Sequence, residues 1–459
     1  MTSIANIIIY GSLQALEQAL SHVSDVNHID EYGFTPLIEA AIVDDFEKAK
    51  LLLKYNANPN MKDLLGSTAL HWAVENSNLE LCQLLLEHHA DPNSYTNASE
   101  TPLVKALLRQ NERLKKILCT YNGNLTFAQD FIFTKLLGHR YGLRGYVDLL
   151  DTRGEFTEVN FEGFFLEFSV GLIQYSLQDY KKNYAAKMLQ KYFKDLEKII
   201  QALNTASELI KYQQYRIDTH RYESQINALL KQRLLILPIG FEGHAITLIK
   251  YNNILIKCDR RTNKDFLNGI LIYEMQQPEK FNLHLIKFLL YEKKTQLFIE
   301  KELPQLIKLK QLGRLLIEPQ MAGNCSWANV EACLPACLLL LQQSNLNGVI
   351  DYTVAPVKIF HHWRIWDRMR ALHFFMDDFK TASPARKASI AAVLGAVFFQ
   401  RLRYNHPEEL ALARKILSIL KTPGYEYILD NYIQIYCLRK PTKAGKHLKK
   451  LIHACEELL

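Results

Sequence analysis

The first quarter of the chain repeats one arrangement of apolar and polar positions every 33 residues: Gly33 recurs as Gly66, Thr35 as Thr68 and Thr101, Leu37 as Leu70 and Leu103, and Asn58 as Asp91 and Asn124. Each period opens with a helical pattern, TPLIEAA, TALHWAV or TPLVKAL. The Thr is placed to cap exposed amides, and Pro is tolerated in a first turn that has no partner for its missing N–H. A second helical pattern follows in KAKLLLKY and LCQLLLEH, and Asn/Asp-Pro-Asn then turns the chain. The segment GSLQALEQALSHVSDVN matches only the later half of the period, as suits a terminal cap. After Leu125 the period stops and the sequence reads as aromatic and β-rich. Apolar residues at Ala186, Met188, Leu189, Phe193, Leu196 and Ile199-Ile200 predict helix within 180–230. Two β-rich stretches, RLLILPIGFEGHAITLIKY and NNILIKCDRR, read as a hairpin turning at Asn252-Asn253. In EPQMAGNCSWANVEACLPACLLLL a Gly-containing turn delivers Cys325 to the start of an apolar helix. From about Val357 the pattern predicts five helices, broken at Ser383-Pro384, His406-Pro407 and Thr422-Pro423-Gly424.

Length and composition narrow the class. A chain of 459 residues exceeds what one core supports, and the pattern changes place domains at 1–125, 126–350 and 351–459. The 8 cysteines show neither a paired framework nor zinc-ligand spacing, which favours a reducing compartment and no structural metal. No basic segment precedes the short apolar run at the amino terminus, and no apolar stretch nears the roughly 18 residues of a span. The expectation is a soluble chain without a secretory signal peptide and without a membrane partner. A net charge of +7 is mild, and the basic residues between Arg439 and Lys450 read as a solvated helix face, not a nucleic-acid site. The aromatic residues Phe360, Trp363, Trp366 and Phe374 read as core packing. No cofactor is implied.

The 33-residue period with its T-P-L and T-x-L-H openings closely resembles the ankyrin repeat, in about four copies. That resemblance implies a solenoid that binds a protein partner through hairpin tips and a concave face, here with Tyr32, Phe34, Leu65 and Trp72 as contact residues. His71 belongs to the signature and is read as an anchor of the turn. Asn93, with Leu85 and Asp91, and Asn60, with Leu52, resemble the acceptors of cytosolic asparaginyl hydroxylases.

The central stretch carries candidate chemistry. His244 and Asp259 lie fifteen residues apart on adjoining β-rich stretches, where a hairpin can bring them together. A thiol at a helix start beside an imidazolium is favoured as thiolate, below its ordinary pKa of about 8.5. His244 as base, Asp259 as its orienter, Cys325 as nucleophile and Gln320 as oxyanion donor would form a complete set. Their order and elements resemble the adenain-like papain relatives, which include ubiquitin-like-specific proteases, adenoviral proteases and Yop-type acetyltransferases. The implied fold class is α+β multidomain: an ankyrin solenoid, a papain-like, adenain-like cysteine protease domain and a helical carboxy-terminal domain. Ala245 stands where those proteases usually have Trp, Ser326 where they have Gly, and the Gln-to-Cys spacing is one shorter than the commonest. The combination resembles ankyrin-repeat effectors of intracellular bacteria such as Legionella. It implies a chain delivered without a signal peptide to the host cytoplasm or nucleus, docked on a host protein and cleaving a peptide or isopeptide bond. Two alternatives stay open. One is a non-catalytic scaffold with a protease-like fold. The other is an acyltransferase whose cofactor phosphates would meet Lys257, Arg260, Arg261 and Lys264.

Overall fold

The computed structural model describes residues 4–22, 25–30, 33–151, 154–213, 219–261, 269–321, 323–342, 355–439 and 441–456. The chain forms two compact units, one of residues 1–134, 146–160 and 382–393 and one of residues 135–145, 161–381 and 394–459.

The first unit begins with four helix pairs: Ile4–Tyr10 with Leu13–Leu20, Pro36–Ile42 with Phe46–Lys54, Ala69–Glu75 with Leu79–Glu87, and Pro102–Leu108 with Glu112–Thr120. The repeated Thr caps as expected at Thr35 and, with His71, at Thr68, but not at Thr101, whose buried Oγ1 has no hydrogen-bond partner among the described residues. Thr35 Oγ1 accepts from the Ile38 amide at 3.2 Å. Thr68 and His71 form a reciprocal capping box. His71 Nδ1 accepts from the Thr68 amide, and Nε2 meets the Glu100 carbonyl of the next repeat at 3.1 Å. Burial pushes its pKa down to about 4, so the ring is a neutral structural bridge.

The turn asparagines tie the stack together. The side-chain oxygens of Asn27, Asn60 and Asn93 each accept, at 2.7 Å, from the backbone amide 31 residues on. The side-chain nitrogens of Asn60 and Asn93 donate to His89 O and Asn122 O at 2.9 Å.

Residues 125–141 correct the sequence reading, because they form one helix, Leu125–Tyr141, and not β structure. Buried Phe127, Ala128, Phe131 and Leu137 recur at helical spacing, and this periodicity outweighs the strand propensity of the aromatics. The first unit is completed by a hairpin, β1 (Tyr146–Leu150) with β2 (Phe156–Asn160), and by residues 382–393. Ser99 Oγ donates to Glu158 O at 2.6 Å, and Arg386 Nε pairs with Asp130 at 2.8 Å.

The second unit is built on an antiparallel meander of β3 (Leu234–Phe241), β4 (His244–Tyr251), β5 (Ile254–Asp259), β6 (Gly269–Met275) and β7 (Leu309–Leu315). The first β-rich stretch is therefore two strands, not one. Glu242 and Gly243 both take positive φ, 44° and 75°, and close a two-residue turn whose twist matches the strands. Both faces of the meander are covered, so β3 and β4 are buried almost throughout. Leu235, Leu237, Ile239, Ile246 and Leu248 enter one core with Leu285, Ile286 and Leu289 of helix Leu283–Tyr291. Helices Phe193–Lys211, Cys325–Glu331 and Cys333–Gln342 pack on β3 and β4.

The run Cys325–Gln342 does have the length and hydropathy of a membrane span, contrary to the sequence expectation, but 83% of it is buried inside the protein. The carboxy-terminal region is helical: Ala355–Thr381, Pro384–Arg401, Pro407–Leu420, Glu426–Ile433 with its continuation Gln434–Arg439, and Lys443–Glu456.

The asparagine ladder makes a local prediction. Asn93→Ala removes two inter-repeat hydrogen bonds, worth about 1 kcal/mol together at an exposed turn. Hydrogen exchange of the Asn124 amide and its neighbours should rise roughly five-fold. Unchanged exchange would show that the ladder carries no stability.

Candidate functional site

His244 is the first residue after the Glu242-Gly243 turn and Asp259 is the last of β5, so both lie at the same end of adjacent strands. His244 Nε2 meets Asp259 Oδ1 at 3.1 Å, and the Phe241 ring packs edge-on against the imidazole at 5.5 Å. With Nε2 held by the carboxylate, Nδ1 is the nitrogen left for the thiol, and His244 and Cys325 line the same cleft.

Cys325 opens helix Cys325–Glu331, behind a turn that only Gly fits at position 323. There φ is +73° and a Cβ would meet the Glu162 side chain at 2.5 Å. Asn324, at the helix N-cap, is fixed by buried His139. Its Oδ1 lies 2.6 Å from His139 Nδ1, and its Nδ2 donates to His139 O at 3.1 Å.

The electrostatics of the three groups agree. Burial pushes the Cys325 thiol up, but the hydrogen bond with His244, the Ala245 amide, the His244 charge and the Ser326 amide outweigh it, and the net shift is down. The thiols of Cys82, Cys258, Cys333, Cys337 and Cys455 are all pushed up by burial. For His244, burial lowers the pKa, but the Asp259 and Cys325 hydrogen bonds raise it further, so the imidazolium is favoured. Asp259 is raised by burial, but its bonds to His244 and Arg261 and the Lys257 charge hold it well below the carboxylate range. Arg261 grips Asp259 at 2.7 Å and Glu300 at 2.8 Å, while Lys257 pairs with Glu300 at 2.7 Å.

His244 and Cys325 open into a cleft of about 890 Å³ lined also by Phe164, Phe241, Tyr291 and Lys294. Burial lowers the Lys294 pKa to about 8, against the pull of Glu292. Gln320 is tethered by its backbone amide to Arg260 O at 2.8 Å, and its Oε1 is buried without a partner among the described residues.

Sequence reading missed what holds these parts together. Arg260, only 1% exposed, donates from Nε to Glu318 O (2.8 Å) and from one terminal nitrogen to Ala328 O (2.9 Å) and Glu331 (2.7 Å). Its own amide donates to Asn329 Oδ1 at 2.9 Å, and Asn329 Nδ2 donates to Ala245 O at 2.7 Å. These bonds join the ends of β4 and β5, the Gln320 segment and the Cys325 helix. A cofactor-phosphate pocket at this strand end is contradicted for three of its members, because Arg260, Arg261 and Lys257 are consumed by carboxylates. Lys264 lies outside the described residues.

On the repeats, Leu64 and Leu65 are 73% and 66% exposed at a hairpin tip. Asp63 Oδ1 shapes that tip by accepting from the Leu65 and Ser67 amides, both at 2.8 Å. Trp72 Nε1 donates to Asp63 Oδ2 at 3.0 Å, and its ring packs edge-on against half-buried Phe34 at 6.5 Å. Tyr32 lies outside the described residues.

The Arg260–Glu331 pair predicts an asymmetric mutant response. Arg260→Met leaves buried Glu331 with only Arg364, at 3.4 Å, and should cost about 3–5 kcal/mol, whereas Arg260→Met with Glu331→Leu should recover most of it. Equal thermal unfolding of the single and double variants would contradict the pairing.

Comparison with known proteins agrees with this architecture. The family model for ankyrin repeats matches in three copies over residues 48–130. No curated protein matches the chain. Among solved structures, that of the Legionella effector AnkH superposes with a TM-score of 0.82 at 36% sequence identity, over 99% of this chain and 98% of that one. With that identity sustained along nearly the full length of both chains, this chain belongs to the family of the Legionella effector AnkH.

Proposed function

We propose that the chain is a host-directed effector that docks on a host protein through its ankyrin repeats and cleaves a peptide or isopeptide bond with Cys325. The modules would be the repeats at 1–125, an adenain-like, papain-like catalytic region at 126–350 and a helical region at 351–459. The observation that carries the chemistry is one constellation: a cysteine at a helix start that shares a cleft with a histidine whose Nε2 is held 3.1 Å from a buried carboxylate.

The Cys325 thiolate attacks the scissile carbonyl, and the backbone amide of Cys325 faces the oxyanion that forms, with Gln320 as a second donor. His244 gives its proton to the departing amine, the C–N bond breaks and a thioester remains. His244 then takes a proton from water, the hydroxide attacks the thioester, and carboxylate and free thiol are released. An amine or hydroxyl acceptor in place of water would make the same thioester an acyl-transfer intermediate.

The exposed Leu64-Leu65 tip, with Phe34 and Trp72 beside it, is the surface we assign to the host partner. Two adjacent exposed leucines at a rigid turn make an apolar anchor at little cost in entropy. Asn60 and Asn93 are the positions we assign to hydroxylation. Membership of an effector family supports delivery into a host cell, and we assign the working protein to the host cytosol or nucleus.

The reading is tested with electrophilic substrates, both short peptides and a ubiquitin-like protein carrying a carboxy-terminal alkyne. We expect one covalent adduct at Cys325, absent in Cys325→Ala and slowed at least ten-fold in His244→Ala. Leu65→Asp should leave the adduct intact while abolishing the effect in cells. If no electrophile labels Cys325 and Cys325→Ala keeps its cellular effect, the chain is a scaffold and the chemistry is refuted.

A further inference from the structure

A second cavity, of about 740 Å³, lies wholly within the second unit and far in character from the thiol cleft. Helix Ala355–Thr381 presents His361, Arg364 and Arg368 to it as one stripe, since positions three and four apart share a helix face. Arg401 and Arg403 enter at the end of helix Pro384–Arg401, and His406 and His447 complete the basic lining. The acids on the wall are Glu318, Glu408 and Glu409.

The balance of partners is uneven. Glu409 is taken by Arg403, at 2.5 Å, and Glu318 by Arg364, at 2.8 Å. Arg364 also approaches Glu331 at 3.4 Å, but Glu331 is already held by Arg260 at 2.7 Å. Among the described residues Arg368 and Arg401 donate only to backbone carbonyls: Arg368 Nε to Arg140 O at 2.6 Å, with its guanidinium over the Tyr141 ring at 5.4 Å, and Arg401 to Gly142 O. Neither forms an ion pair among the described residues. The Nε atom of Arg401 is buried with no hydrogen-bond partner among those residues, and that of Arg364 has only the 3.4 Å approach to Glu331.

Buried polar groups are nearly always satisfied, and guanidinium forks match phosphate oxygens in pairs. Three forks around a cavity of ligand size, two of them without a carboxylate, describe an incomplete site. We propose that this cavity binds a small molecule carrying two or more phosphate groups, held by Arg364, Arg368 and Arg401. The mutual influence of the cations agrees with this. Burial and the Arg364 charge push the Arg368 pKa down to about 10, and burial, Arg364 and Arg368 lower His361 against the pull of Glu318. An anion in the cavity relieves both. The site is independent of the thiol chemistry, so Cys325→Ala binds equally well.

The experiment uses the full chain and sodium tripolyphosphate, titrated calorimetrically at fixed ionic strength. We expect saturable one-to-one binding that weakens at least ten-fold in Arg364→Gln with Arg401→Gln. Should that variant not fold, phenylglyoxal modification of the unaltered protein, read by peptide mass spectrometry, decides. Tripolyphosphate should protect Arg364 and Arg401 and leave exposed Arg113 reactive. Vesicles of phosphatidylcholine containing a phosphoinositide bisphosphate separate the two sources of the ligand. Binding to vesicles as well as tripolyphosphate assigns a lipid headgroup, and binding to tripolyphosphate alone assigns a free metabolite. No saturable binding, binding without protection of these arginines, or binding only to an oligonucleotide overturns the proposal.

Discussion

Arg260 is the constraint on which the second unit's chemistry depends. A guanidinium so deeply buried costs several kcal/mol to desolvate and persists only when its donors are engaged. Here they reach Glu331, Ala328 O and Glu318 O, and the residue's own amide and carbonyl reach Asn329 and Gln320. Because Arg260 directly follows Asp259, fixing one fixes the other. Because Asn329 lies one helical turn beyond Cys325 and also holds Ala245 O, the cysteine helix and the histidine strand are locked to the same post.

That rigidity lets modest charges act decisively. Asp259 stays ionised because His244, Arg261 and Lys257 surround it, and Glu300 balances the two cations, which leaves the carboxylate free to orient the imidazole. The imidazolium in turn lowers the thiol. Elsewhere in the fold burial outweighs what opposes it and leaves Cys258, Cys333 and Cys337 as inert packing groups.

Sequence revealed the parts of this protein whose determinants are local. The ankyrin stack was legible because each repeat reuses the same caps and asparagine bridges, so the 33-residue period is itself a record of the contacts. The order His244, Asp259, Cys325 was legible because a strand end and a helix start are local features. Residues 125–141 were misread because aromatic content was weighed above their helical spacing. The β3–β4 turn was missed because Glu242-Gly243 is a weak version of the usual Asn-Gly signal. Arg260, Asn329 and Glu331 were invisible for a deeper reason. A charged residue in sequence reads as solvated, and only the tertiary fold shows that its partners lie some seventy positions away. The arginines of the second cavity were hidden in the same way, Arg364 and Arg368 within one helix and Arg401 at the end of the next, both of which read as ordinary packing.

The measurement that tests the account most directly is the pH dependence of alkylation of each cysteine in the native protein, with His244→Ala alongside. The account predicts that Cys325 reacts selectively, with an apparent pKa well below the ordinary value of about 8.5, and that His244→Ala moves it back up. A Cys325 that is inert, titrates like an ordinary thiol or ignores the loss of His244 would contradict the claim that these strands and this helix are held together for thiolate chemistry.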